Sequence, residues 1–239
     1  MYHKSFSHLS WRLLAVLATL LLSLPAAFLI RAIPAAPAAP GDLDTTFAGF
    51  GTSGVVAVAA SDAKDMARLP DGKIVTAGTK AGDILLMRFL PDGQPDNTFF
   101  DGGIAQFDIP GFGFTVSSVA TQADGKIVVA GTAYPGLSPS NFFVARVDPA
   151  SGLDPSFGDG GLVLTDFGGD HDSASAVLVQ PGGKIVTGGN AEVGGDSDFA
   201  VARYNASGSP DTTFGGDGKA TIGFGGDDYL YDMALQNDG

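Results

Sequence analysis

Three short markers recur in fixed order along this chain, and a chain built that way is confined to a repeat architecture. Asp-Gly-Lys-Ile-Val stands at residues 71–75 and 124–128, and returns as Gly182-Gly183-Lys184-Ile185-Val186. Its first two residues appear again at Asp238-Gly239. An Asp-x-x-Phe marker occurs at Asp44/Phe47, Asp96/Phe99, Asp154/Phe157 and Asp211/Phe214, at spacings of 52, 58 and 57 residues. The third marker is an apolar run ending in Arg plus Phe, Val or Tyr, at residues 86–89, 144–147 and 201–204.

Within each period the apolar residues fall into four runs of strand length, bounded by Gly, Pro, Asp and Ser. In the third copy they are strands A (162–167), B (174–179), C (184–188) and D (199–204). Pro-Asp-Gly or Pro-Gly-Gly between B and C is hairpin chemistry, because Gly supplies the positive φ that the turn needs. Four antiparallel strands per period of this length define a β-propeller blade rather than a solenoid coil. The fold class expected is therefore all-β, a β-propeller of four-stranded antiparallel blades. The units run 53–91, 102–149 and 160–206, with a partial unit at 217–239: about three and a half blades of an incomplete ring. Closed propellers have 4–8 blades, so further C-terminal blades are expected, with closure of a seven-bladed ring by two chains as the rival.

The D-to-A connection is the longest recurring one. Read as travel across a whole sheet, it makes A the innermost strand and D the outermost. Alternating strand direction then puts the A-to-B and C-to-D loops on one face of the disc. These are the loops that vary from copy to copy, as at 110–114, 133–140, 168–172, 190–195 and 225–228. The opposite face is built each time from the same turn residues.

Composition agrees with the repeat. Of the 26 acidic residues, 25 are Asp and only Glu192 is Glu, and there are 35 Gly. Asp and Gly are turn formers, while Glu is the better helix former. There is no Cys, so the fold rests on packing alone.

Lys4 and Arg12 precede an uncharged apolar stretch at 13–30, followed by Arg31 and an Ala/Pro-rich segment. This is a secretory signal pattern over residues 1–38, cleaved near Ala38, the alternative being an uncleaved N-terminal anchor. Residues 39–52 form a lead-in to the repeats. Loss of the three basic residues in 1–38 takes the net charge from −13 to −16. So acidic a surface repels nucleic acid and anionic lipid.

Residues 153–161 (Leu-Asp-Pro-Ser-Phe-Gly-Asp-Gly-Gly), 70–78 (Pro-Asp-Gly-Lys-Ile-Val-Thr-Ala-Gly) and 199–205 (Phe-Ala-Val-Ala-Arg-Tyr-Asn) resemble the delta-60 repeat family of bacterial extracellular β-propellers. The resemblance covers about residues 41–239. It implies a secreted or cell-surface location and no particular chemistry. Copy three departs at Gly182, where the usual Asp is missing.

Residues present in every copy are assigned to the architecture. Asp154 and its equivalents cap a bend, Phe157 and its equivalents pack between blades, Arg88, Arg146 and Arg203 pair with those Asp residues, and Lys73, Lys126 and Lys184 lie in solvent. Residues found once are the functional candidates. Asp170, Asp172, Asp196, Asp198, Asp227 and Asp228 follow Gly-Gly pairs on the variable face and offer oxygen donors for Ca²⁺, although no EF-hand spacing is present. A solvated polar loop is the competing assignment. After export His171 is the one remaining His, which excludes a multi-histidine zinc site, and the absence of Cys excludes a cysteine nucleophile. No G-x-S-x-G elbow occurs, and no carboxylate pair is singled out for glycoside hydrolysis. The sequence thus favours a non-enzymatic binding or structural module, contacting protein or glycan through loops that carry Phe112, Phe114 and Tyr134. A channel-mouth hydrolase and a calcium-stabilised adhesion module are the alternatives.

Overall fold

The computed structural model describes residues 62–236. The expected signal segment 1–38, the expected lead-in 39–52 and the expected first strand of copy one lie outside the described residues. Among those described, every regular element is a β-strand.

The first sheet contains β1 (Asp62–Arg68), β2 (Ile74–Lys80), β3 (Asp83–Phe89) and β4 (Ile104–Phe107), paired in chain order. The third repeats it with β10 (Asp172–Val179), β11 (Ile185–Val193), β12 (Asp196–Tyr204) and β13 (Lys219–Ile222). In the second, β5 (Gly113–Thr121), β6 (Ile127–Tyr134) and β7 (Asn141–Asp148) are followed by β8 (Gly152–Leu153) and β9 (Leu162–Thr165). Both of these pair with β7, end to end along one edge. All pairings are antiparallel. These are three β-propeller blades in series.

The radial order differs from the expectation by one strand. Strand A, expected innermost, is β4, β9 and β13, and each pairs directly with the D strand before it. Strand B, as β1, β5 and β10, is innermost: β5 packs against β1 on one side and β10 on the other. Each sheet is therefore offset by one strand from the repeat units read in the sequence. The D-to-A connection is long without crossing the sheet because two turns consume its residues. In the first blade Leu90 N–H bonds Gln94 O at 2.8 Å and Gly93 N–H bonds Leu90 O at 2.9 Å, a Gly-closed turn. The chain then zips back onto β3, with Asp96 N–H on Arg88 O and Arg88 N–H on Gly103 O. The assignment of loops to faces survives, because strand direction still alternates.

Side chains of adjacent sheets interdigitate. One apolar cluster joins Val75, Ala77, Ile84 and Leu86 of the first blade to Val116, Ile127, Val129 and Phe143 of the second. Another joins Val128, Ala130 and Val144 to Val177, Ile185 and Ala202 of the third. The innermost strand of every blade carries a bulge, at Lys64, Ser117 and Ser175. Opposite it stands a glycine: a Cβ on Gly78, Gly131 or Gly189 would lie 2.0 Å from the carbonyl oxygen of Asp62, Thr115 or Ser173. Close backbone approach, not φ, fixes Gly there.

Candidate functional site

The recurrent residues form the same cluster in each blade. Asp154 Oδ1 accepts from Ser156 N at 3.0 Å and Ser156 Oγ at 2.7 Å, while Oδ2 accepts from Arg146 Nε at 2.8 Å and faces Lys126 Nζ at 2.9 Å. The Arg146 guanidinium carbon lies 4.7 Å from the Phe157 ring centroid. Asp96 with Thr98, Arg88, Lys73 and Phe99 repeats this in the first blade, and Asp211 with Thr213, Arg203, Lys184 and Phe214 in the third. The capping role of Asp, its pairing with Arg and the interblade packing of Phe157 are as read from the sequence. The lysines are not: each reaches the Asp of its own blade at 2.6–3.4 Å instead of lying free in solvent. Burial works to raise the Asp96 pKa, but bonds from Thr98 and the charges of Arg88 and Lys73 outweigh it and hold it at about 2. Asp154 is held down the same way, by Lys126, Ser156 and Arg146 against burial. In Asp211 the Lys184 and Thr213 bonds dominate and lower it.

On the opposite face the loops differ from blade to blade. The connection between the second and third strands is the tight turn Ala81-Gly82 in the first blade and Gly194-Gly195 in the third. In the second it is the longer loop 135–140, where Leu137 is fully exposed. Of the aromatic candidates, Tyr134 is exposed, Phe112 is half-buried, and Phe114 is buried against Phe143 at 4.9 Å. Phe114 thus belongs to the core.

The six candidate carboxylates fall into two groups. Asp172 is fully buried at the start of β10, where its Oδ2 accepts from Phe167 N at 2.7 Å and closes the loop between blades. Its Oδ1 is buried without a protein partner. Burial, and then the Asp166 charge, raise its pKa against the Phe167 N–H, Lys219 and His171. Asp170 is exposed on the same loop. His171 beside it places Nδ1 3.4 Å from Ser140 Oγ and accepts from Glu192 N through its carbonyl. The second group lies where the loop at 194–197 meets the chain after β13. Ser197 N–H bonds Asp227 Oδ1 at 3.0 Å, and Asp228 N–H bonds Ser197 O. Asp228 Oδ2 accepts from Phe224 N at 2.6 Å, as Asp172 does from Phe167. Asp196 is exposed on that loop, and Asp198 packs against Gly223. Among the described residues, no three His, Cys, Asp or Glu side chains converge closely enough to hold a metal ion.

Missed by the sequence reading is a polar staple on the second strand out from the axis. Thr79 Oγ1 accepts from Val116 N at 2.9 Å, Thr132 Oγ1 meets Ser173 Oγ at 2.7 Å, and Asn190 Oδ1 accepts from Leu230 N at 3.3 Å. Each ties one blade to the next innermost strand. The recurrent Thr-Thr-Asn position is legible only once the repeats are aligned strand by strand.

Three serial blades, a shared interblade cluster and one loop-bearing face define a β-propeller repeat protein. Residues 69–99, 122–157 and 180–214 match the family model described as a domain of unknown function (DUF5122) β-propeller. No curated protein matches the chain.

Proposed function

We propose that this chain is an exported β-propeller module of the delta-60 kind, secreted or held at the cell surface, which binds a protein or glycan partner through its variable face and catalyses no reaction. The observation that carries this is the division of labour between the faces. The Arg, Asp, Lys and aromatic cluster is the same in all three blades, whereas on equivalent strands the second blade carries the six-residue loop 135–140 where the first and third have the two-residue turns 81–82 and 194–195. Variable loops on a rigid frame are where recognition is placed in proteins of this kind. The carboxylates there also argue against the hydrolase alternative, since Asp172 and Asp228 cap loop amides. The test is a screen of the purified protein on glycan and cell-surface protein arrays, with residues 135–139 replaced by a Gly-Gly turn as the paired variant. Binding lost in the variant at unchanged melting temperature supports the proposal. Turnover of a hydrolase substrate, abolished by an Asp substitution on this face, overturns it.

A further inference from the structure

The recurrent clusters of the first two blades agree in their bonds except at one arginine nitrogen. Arg146 places all three of its nitrogens: Nε on Asp154, Nη2 on Ser156, and Nη1 across the seam on Ala206 O of the third blade. A second bond, from Gly158 N–H to Ser207 O at 2.8 Å, closes the same seam. Between the first and second blades both bonds are missing. Arg88 is 6% exposed, and its Nε and Nη2 bond Asp96 and Thr98, but among the described residues its Nη1 has no partner. Pro149 and Ala150 stand three and four residues after Arg146, as Ala206 and Ser207 do after Arg203. Their carbonyls accept no bond among the described residues.

Phe100 accounts for the difference. It holds the position of Gly158, with a φ of +41° against +54°. A Cβ on Gly158 would lie 2.3 Å from Leu162 O, so the backbone path that reaches Ser207 admits Gly alone. Phe100 carries a Cβ and a ring, packed edge-on against Phe99 at 4.8 Å and Phe107 at 5.9 Å, in a conformation that bulky residues seldom adopt. What stays open is a groove of about 410 Å³, with Leu69, Pro70 and Arg88 of the first blade facing Pro149 and Ala150 of the second. Its volume is that of a ligand site.

The groove thus sets a buried donor without an acceptor beside carbonyls without a donor. Arg cannot accept and a carbonyl cannot donate, so the complementary ligand does both in one compact group. Asp71, Asp124 and Asp148 also line the groove, and the Arg88 charge is already matched by Asp96. A carboxylate or phosphate is therefore repelled. The neutral group that accepts and donates side by side is a carboxamide.

We propose that the groove between the first and second blades binds a carboxamide, the side chain of a Gln or Asn on a partner peptide. Its C=O accepts from Arg88 Nη1, its NH₂ donates to the Pro149 carbonyl, and its aliphatic stem lies on Leu69 and Pro70. The groove opens on the stereotyped face, away from the variable loops, and stands independently of the function proposed above.

The test is NMR titration of the nitrogen-labelled chain with a capped Ala-Ala-Gln-Ala-Ala peptide, read at the Arg88 Nε–H and the Gly125 amide, with the Arg146 Nε–H as internal control. Peptides with Met or Glu in place of Gln, and free propionamide, are the comparison ligands. Saturable shifts at Arg88 and Gly125 are expected at millimolar peptide, with none at Arg146. Affinity should fall about tenfold or more for the Met peptide, which keeps the stem and loses the hydrogen bonds. The Glu peptide and propionamide should also bind more weakly than the Gln peptide. Arg88→Lys keeps a charge beside Asp96 and removes Nη1, and should lose the Gly125 shift. Because that change touches a buried ion pair, two exposed positions are compared at unchanged melting temperature. Ala150→Trp fills the groove and should abolish the shifts, whereas Ala206→Trp, at the closed seam, should keep them. No saturable shift, equal affinity for the Met peptide, or binding that survives Ala150→Trp overturns the inference. Propionamide binding as tightly as the Gln peptide overturns the assignment to a peptide.

Discussion

Arg146 donates its Nε–H to Asp154 Oδ2 at 2.8 Å, and both side chains are almost entirely out of water. The same guanidinium stacks over Phe157, whose ring fills the seam between the second and third blades. One ion pair therefore joins a turn to an interblade core. Breaking a buried pair from one side leaves the other charge unsatisfied. Asp154→Ala is expected to lower unfolding stability by about 3 kcal/mol, read as a shift in the urea midpoint. A double mutant with Arg146→Met should recover part of that loss, and simple additivity would show that the two do not act together.

The clusters predict acid sensitivity of a definite sign. The Asp96 carboxyl has a folded pKa of about 2, below the ~3.9 of an unfolded chain. Its stabilising contribution is thus complete above the unfolded value and is lost as pH falls through the folded one. Asp154 and Asp211 are shifted in the same direction. Stability measured by denaturant titration should fall steeply from about pH 4 to about pH 2. The slope should be shallower in Asp96→Asn, and an unchanged slope would remove Asp96 from this account.

Gly131 tests the bulge geometry. A Cβ there meets Thr115 O at 2.0 Å and the Phe143 ring at 2.9 Å, and the Thr115 carbonyl cannot yield without moving the innermost strand. Gly131→Ala should cost at least about 2 kcal/mol. Gly111→Ala has open space around it, and only its φ of +89° opposes the change. It should cost about 1 kcal/mol. Equal losses in the two variants would contradict the close approach.

How much of this was legible in the sequence depended on range. The Asp-x-x-Phe turn and its Arg partner lie within ten residues of each other, and fixed spacing exposed them. The lysines reach the same Asp from a different hairpin, so no local pattern marked them. The radial order is not legible from the length of the D-to-A connection, because that length is consumed in turns and does not measure the distance spanned. Pro91-Asp92-Gly93 repeats Pro70-Asp71-Gly72, and that turn chemistry already signalled a hairpin between neighbouring strands. Among the acids, Asp172 and Asp228 cap equivalent loops, but His171 is an extra residue that shifts one against the other. Simple alignment of the Gly-Gly pairs therefore hides their equivalence.

Phe157 and Phe214 occupy the same position in successive blades, yet Phe157 is fully buried and Phe214 only half-buried beside an open groove of Leu178, Val186 and Met233. The cost of truncating a buried ring grows with the volume of the cavity it leaves behind. Phe157→Ala should destabilise by about 4 kcal/mol and Phe214→Ala by roughly half of that, each read from urea unfolding. Equal costs would mean that the groove beside Phe214 is filled in solution, and a rise in apparent mass in sedimentation would identify association as the cause.

Asp172 supplies the opposite pH signature from the interblade clusters. Its carboxyl is raised, chiefly by burial, so its ionised form is the one the fold disfavours. By linkage, its contribution is fully present below the unfolded pKa of ~3.9 and is lost as pH rises through the higher folded value. Asn at this position retains an oxygen for the Phe167 N–H and carries no charge to desolvate. The stability of the wild-type chain relative to Asp172→Asn should therefore fall as pH is raised from about 4 to 7, whatever constant offset the amide introduces. The two proteins are compared by urea unfolding at each pH in calcium-free buffer, then with millimolar Ca²⁺. A difference that stays flat without calcium would show that Asp172 is not held in the buried, half-satisfied state described. A gain with Ca²⁺ confined to the wild type would assign the unpartnered Oδ1 to a cation after all, and would make the exposed Asp170 on the same loop the next residue to substitute.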